Sequence, residues 1–254
     1  MIPQALSGLV TAVRTLTIVP MPGRDAERFS TSLYWFPVVG MFIGGIQALV
    51  MYLSLFAGWA ESAGFAAVLA GVLLTRGIHA DGLADFFDGF WGGKNRESAL
   101  RIMKDPNVGS FGVLALFFAM LLKWLAATRI AEAEEYSVLV AGILLGRWVQ
   151  VILASTMPYA RTEGGTARSF VAGAGTSHLV VTTAVSALCL MLLPDADTAF
   201  IVVAMVSAAL LAAAVAAAAV RKIGGVTGDV LGASSELAEC VVWLACLLSS
   251  AQQP

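Results

Sequence analysis

The sequence predicts an all-α protein: a polytopic integral membrane bundle of about seven transmembrane helices, six at the lower count, forming a single domain over residues 1–254. Three observations predict it. Of the 254 residues, 59 % are hydrophobic and only 13 % are charged, whereas a soluble domain carries about 25 % charged residues. Mean hydropathy is +0.84. Apolar runs near the ~20 residues needed to cross a bilayer recur along the chain.

Residues 1–32 precede the first such run. The stretch Leu9–Pro22 is apolar but carries Arg14, which suits an interfacial segment better than a span. No basic region followed by an apolar run and a cleavage site is present, so no signal peptide is expected. The spans are read at 33–57, 62–77, 110–130, 136–157, 177–193, 198–220 and 236–250. The second, fifth and seventh are short, and the last opens on Glu236 and Glu239. Gly40-x-x-x-Gly44 and the "AAAVAAAAV" run at 212–220 predict close helix packing through small residues. Lys123 and Arg129 fall in the outer half of their helix, where long basic side chains snorkel. Arg147 falls in mid-span, where it either neutralises a carboxylate or clamps a phosphate.

The connections alternate in charge. Glu61, then Glu132, Glu134 and Glu135, then Asp195 and Asp197 mark one set. Arg14, Arg24, Arg28, Lys94, Arg96, Arg101, Lys104, Arg161, Arg168, Arg221 and Lys222 mark the other. Basic loops stay on the cytoplasmic side. That rule puts the N-terminus inside and, with seven spans, the C-terminus outside. The motif-rich loops 78–109, 158–176 and 221–235 then all face the cytoplasm. A net charge of −2 offers no basic field for nucleic acid. Cys189, Cys240 and Cys246 fit neither a disulfide framework nor a zinc site.

The chemistry concentrates in "HADGLADFFDG", residues 79–89. Asp81, Asp85 and Asp88 follow i, i+4, i+7 spacing, which puts all three on one helical face. Three repelling carboxylates near lipid require a cation or raised pKa values. An all-oxygen set favours Mg²⁺ or Mn²⁺ over zinc. His79 lies on another face and is not read as a ligand. "RESALRIMKD" follows as a short amphipathic helix, with Arg101 and Lys104 able to meet an anion. "GGVTGDVLGASSELAE", 224–239, is a second acidic element, in which glycines around Asp229 let the backbone approach a phosphate. Asp229, Glu236 and Glu239 share a side only if one helix runs through Gly232. "PYARTEGG", 158–165, adds Arg161 and Glu163.

These segments carry a family resemblance. "HADGLADFFDG" with "IMKDPNVGSFG", "GGVTGDVLGA" with its following glutamate, "LTIVPMP", "YWFPVVG", "GRWVQ" and "PYARTEG" resemble the motifs of cobalamin synthase, the membrane family of adenosylcobinamide-GDP ribazoletransferases. The matches run in order from about residue 9 to 239. Arg76 stands where that pattern has a small residue, usually glycine; Thr15 replaces an aromatic residue, and Ala80 a larger apolar one. The resemblance implies attack of the 5′-hydroxyl of α-ribazole, or of its 5′-phosphate form, on adenosylcobinamide-GDP, with release of GMP and Mg²⁺ as cofactor. It assigns Asp81, Asp85 and Asp88 as metal carboxylates, with Asp229 completing the site and with Asp81, Asp85 and Asp229 as the catalytic set. Glu236 or Glu239 would bind a second metal or act as base, and Lys104, Arg147 and Arg161 would contact phosphate. The expected location is the cytoplasmic (inner) membrane of a prokaryote. The partners are the two small-molecule substrates and the lipid bilayer, without nucleic acid, and a homo-oligomer stays open. Other readings of the acidic helix are a membrane transferase of the CDP-alcohol phosphotransferase or prenyltransferase kind, and a divalent-cation transporter. Transport predicts carboxylates near the midplane.

Overall fold

In the computed structural model, residues 4–250 are described except 163 and 166. Glu163 therefore lies outside the described residues. Helix α1 spans Gln4–Leu16. The chain after it folds back onto Arg14, which donates to Asp25 at 3.0 Å and to the carbonyls of Met21 and Gly23. A 3₁₀ turn, Phe29–Trp35, leads into α2, Phe36–Leu55, whose Pro37 suits a first turn because proline has no N–H to leave unpaired. Then come α3 (Ala60–Leu74), α4 (Ile78–Phe87) with a π-turn over Asp88–Gly92, and α5 (Arg96–Ile102). The remaining elements are α6 (Ser110–Ala133), α7 (Tyr136–Thr156), the short α8 (Arg168–Val171), α9 (Thr176–Met191), α10 (Thr198–Ile223) and α11 (Gly228–Ser250).

The seven stretches expected to span are helical, but among the described residues only five, or six with one bent pair, are long and apolar enough to cross a bilayer, so the structure supports the lower count of six and not seven. Five segments are long and apolar enough to cross a bilayer alone: the stretch ending in α2, then α6, α7, α10 and α11. Helices α3 and α4 form a further pair bent by 90°. The bend is made by two consecutive left-handed residues, Arg76 (φ 56°) and Gly77 (φ 64°). Helix α4 thus runs across the axis of α3. Helix α9, with 16 residues, is short.

Helix α7 is the central post, with almost every residue buried. Helices α2 and α11 pack closely against it. The Gly40/Gly44 pair is the reason α2 can approach: a Cβ at either would come within 2.9 Å of the Cα of Leu144 or Val140. On α10 the buried stripe Ala204, Ala208, Ala212, Val215 and Ala219 gives the close packing expected of its alanine run. The outer faces carry exposed Leu114, Phe117 and Phe118 on α6 and Val202, Val206 and Leu210 on α10. That is the surface a lipid solvent selects.

One boundary differs from expectation. The last helix begins at Gly228, not 236, and is continuous through Gly232. Low hydropathy hid its first two turns. Its small residues serve contact: Gly232 lies against the backbone of His79 and Gly82, where a Cβ would be 3.3–3.4 Å from those Cα atoms.

Candidate active site

Three loops close one end of the bundle. Arg96 donates through Nε to the carbonyl of Ile223 at 2.8 Å and through Nη2 to that of Ala160 at 2.6 Å. Lys222 Nζ donates to the carbonyl of Gly93 at 2.7 Å. The backbones of Pro158, Ala160 and Val226 pair directly, at 2.8 and 2.9 Å. Segments 78–109, 158–176 and 221–235 are therefore one assembly, as the charge pattern predicts.

The crossing of α4 over α11 sets the acidic groups. Gly82 abuts the backbone of Asp229 and Gly232, with hypothetical Cβ distances of 3.1–3.3 Å. This brings Asp229, in the first turn of α11, beside the α4 face that carries Asp81 and Asp85. Asp229 Oδ2 accepts from Arg161 Nη2 at 2.8 Å and from the Thr227 hydroxyl at 3.2 Å. Arg161 also donates to the carbonyl of Met103 at 3.3 Å, next to exposed Lys104. Its Nε is buried without an acceptor among the described residues.

Asp81 is exposed and Asp85 half-buried. Burial first, then the charges of Asp229, Asp81 and Asp88, push the Asp85 carboxyl up to about 7; Arg161 pulls the other way. Three anions around one carboxyl, against one guanidinium, leave the cradle short of positive charge. Its donors are all oxygen, which suits Mg²⁺. Among the described residues, no three His, Cys, Asp or Glu side chains stand at the spacing of a formed metal site. Asp81, Asp85 and Asp229 are near neighbours where α4 crosses α11, an open cradle of carboxylates.

The structure gives the other expected ligands different work. Asp88, only 6 % exposed, points away from the cradle. Its Oδ2 accepts from the N–H of Gly109 at 2.7 Å and its Oδ1 from that of Gly112 at 2.9 Å. Gly109 is the N-cap of α6 and has no side chain to cap it, so Asp88 caps α6 from another helix. Both glycines are needed, because a Cβ at either would collide with the carboxylate. The π-turn that starts at Asp88 is the local widening that re-aims this residue. The one-face geometry expected of the three aspartates therefore holds for two.

Glu236 and Glu239 are not available to a second metal and are not placed to act as base. Lys123 donates to Glu236 Oε2 at 2.8 Å and to Glu239 Oε2; Arg147 donates to Glu239 Oε1. All four side chains are buried. Two cations face two anions, which is how charge is tolerated inside a bundle. Arg147, 2 % exposed, accordingly neutralises a carboxylate and is not a phosphate clamp. Lys123, 5 % exposed, does not snorkel; its glutamate partners hold it inward. Arg129, with an exposed side chain, pairs only with Glu132 among the described residues. His79 Nδ1 lies 3.3 Å from Arg147 Nη2 and ties α4 to this network. Sequence reasoning missed His79, Arg96 and Lys222 as ties. Their partners are backbone carbonyls and a residue 68 positions away, which leave no local pattern.

A bundle of five to six long apolar helices, with carboxylates and a guanidinium gathered at one end, defines a polytopic integral membrane protein. Residues 8–247 match the cobalamin-5-phosphate synthase family. The chain is 58 % identical over 250 residues to the adenosylcobinamide-GDP ribazoletransferase of Pelodictyon phaeoclathratiforme, covering 97 % of this chain and 98 % of that one. It is 55 % identical to the protein of that name from Chlorobaculum parvum, covering 96 % of each. With that of Shewanella baltica it shares 34 % identity over 94 % of this chain and 93 % of the other. No solved structure matches. The chain belongs to the cobalamin-5-phosphate synthase family, and it is a membrane transferase of cobalamin biosynthesis.

Proposed function

We propose that this chain is an adenosylcobinamide-GDP ribazoletransferase that works at the cytoplasmic face of the membrane. The observation that carries the reading is the meeting of Asp81, Asp85 and Asp229 with Arg161 at one end of the bundle, in a chain of this family. The basic residues of the same end support its cytoplasmic placement. Transport is disfavoured, because the carboxylates inside the bundle are already neutralised by Lys123 and Arg147.

Asp81, Asp85 and Asp229 would hold Mg²⁺, which when bound supplies neutralisation of the diphosphate and of the departing phosphate. Arg161 holds Asp229 in place and presents its unpaired Nε–H to a phosphate oxygen. Gly224 ends α10 in the left-handed conformation and Gly225 lets the loop pack on the Pro158 carbonyl, which holds this loop beside Arg161. A ribose hydroxyl oxygen that is free in both α-ribazole and its 5′-phosphate form bonds to the cobinamide-linked phosphorus. The bond from that phosphorus to the bridging oxygen breaks, and GMP leaves with the electron pair. The hydroxyl proton passes to a carboxylate of the cradle.

Purified protein in lipid, given adenosylcobinamide-GDP, α-ribazole and Mg²⁺, is expected to release GMP in step with the cobalamin product. Well-folded protein that releases no GMP overturns the assignment.

A further inference from the structure

A cavity of about 190 Å³ lies beside the cradle. Its wall is mostly apolar: Leu16, Leu33, Phe36, Ile78, Phe170 and Leu231. Three polar side chains, Thr15, Gln150 and His79, also line it. The lining includes Gly228, next to Asp229, and His79, two residues from Asp81. The cavity therefore borders both halves of the site.

Two of the polar groups have fixed roles. Gln150 is 4 % exposed, and its Nε2 donates to the carbonyl of Leu231 at 3.2 Å. A flipped amide would set two oxygens against each other, so this orientation is the bonded one. Its Oε1 is then left buried without a donor among the described residues. A buried acceptor with no partner is costly, and a ligand O–H or N–H would relieve it. His79 is fixed from its other side. Arg147 can only donate, so Nδ1 accepts, and the ring hydrogen sits on Nε2. His79 thereby offers an N–H donor.

An apolar cavity of about 150 Å³ takes up benzene. One of about 190 Å³ holds a small fused ring, but not a corrin. A guanine edge would bring several donors and acceptors against a wall with few polar groups. The fitting ligand is a flat, mostly apolar heteroaromatic base with one acceptor nitrogen, attached to a hydroxyl-bearing sugar. We propose that this cavity is the subsite for the benzimidazole nucleoside acceptor, with the base against Phe36, Phe170 and Leu231, His79 donating to its ring nitrogen, and Gln150 accepting from a ribose hydroxyl. The proposal rests on the ribazoletransferase reading. It places the nucleophile's sugar next to Asp81 and Asp229.

The test uses the full chain in lipid vesicles, with KM measured separately for the two substrates. Gln150→Leu is expected to raise the KM for α-ribazole about tenfold, the value of one lost hydrogen bond at ~1.4 kcal/mol. It should leave the KM for adenosylcobinamide-GDP in place and thermal stability equal or higher, since an unpaired buried acceptor is removed. Ala167→Phe, which fills the cavity from the loop before α8, is expected to raise the α-ribazole KM further. Unchanged α-ribazole KM in both variants, or an equal rise for both substrates, overturns the subsite. Should the variants fail to fold, free benzimidazole on the unaltered protein decides: competition with α-ribazole alone supports the subsite, and non-competitive or absent inhibition overturns it. Loss of the transferase reading itself would show differently, as no GMP from the unaltered protein.

Discussion

Helix α11 carries two sets of carboxylates two turns apart, and they live in opposite circumstances. Glu236 and Glu239 are buried and matched by Lys123 and Arg147. Asp229, with Asp81 and Asp85 from α4, stands at the end of the bundle with Arg161 as its one ion-pair partner among the described residues. The lesson is about counter-charge. Carboxylates that the protein neutralises for itself tie helices together; those it leaves in excess are where, on the function proposed above, a cation would bind.

Breaking each set should give a different phenotype. The largest effect is expected from Asp85→Asn, which removes a cradle carboxylate with little change of shape. Losing about 4 kcal/mol of transition-state stabilisation lowers kcat on the order of 10³-fold. GMP release should collapse while the helical circular dichroism and thermal midpoint hold. Glu239→Gln attacks the other set. It leaves two buried cations with one anion, at a cost of about 3–5 kcal/mol. The unfolding midpoint in mixed detergent micelles should fall sharply; an unchanged midpoint would mean the network contributes nothing.

Acidity sharpens the comparison. The Asp85 carboxyl, raised to about 7, holds a proton below that pH and competes with a cation for it. Apparent Mg²⁺ affinity should therefore rise with pH, by about fivefold from pH 6 to 7 and about twofold more to pH 8, and level off above. Titration of Mg²⁺-dependent GMP release at several pH values reads this, and a flat profile would take Asp85 out of the metal's reach. Asp88→Ala separates cap from ligand. It should cost about 1–2 kcal/mol of stability through the uncapped α6 and leave the Mg²⁺ requirement at the same concentration. The smallest effect is expected at the bend. Arg76 is held at φ 56°, where a side chain is strained and glycine is not, so Arg76→Gly should raise stability by up to about 1 kcal/mol in the same unfolding measurement.

Hydropathy made the helices readable, because lipid leaves an apolar run no other means of satisfying its backbone. The exception is instructive. The first turns of α11 are glycine, serine and acid, chosen for contact with α4 and for chemistry, so they looked like loop. The site was half legible. Spacing singled out Asp81 and Asp85 and the glycine-rich context singled out Asp229, and the structure brings these three together. Asp88 shares their spacing but answers to the uncapped amides of α6, 21 residues on. Glu236 and Glu239 looked like site residues because Lys123, more than a hundred positions away, could not be seen as their partner. Arg76 at the left-handed bend accounts for the small residue that the family pattern favours there.

The buried charge network also imposes a timetable on biosynthesis. Lys123 and Arg147 leave the ribosome on α6 and α7, while both glutamates arrive only with α11, after all the other helices of the bundle. Until then neither Lys123 nor Arg147 has the glutamate partners it meets in the folded bundle. Helix α11 thus supplies the counter-charge for both buried cations, and a chain terminated before it is expected to be degraded, which pulse-chase of the truncated chain would read.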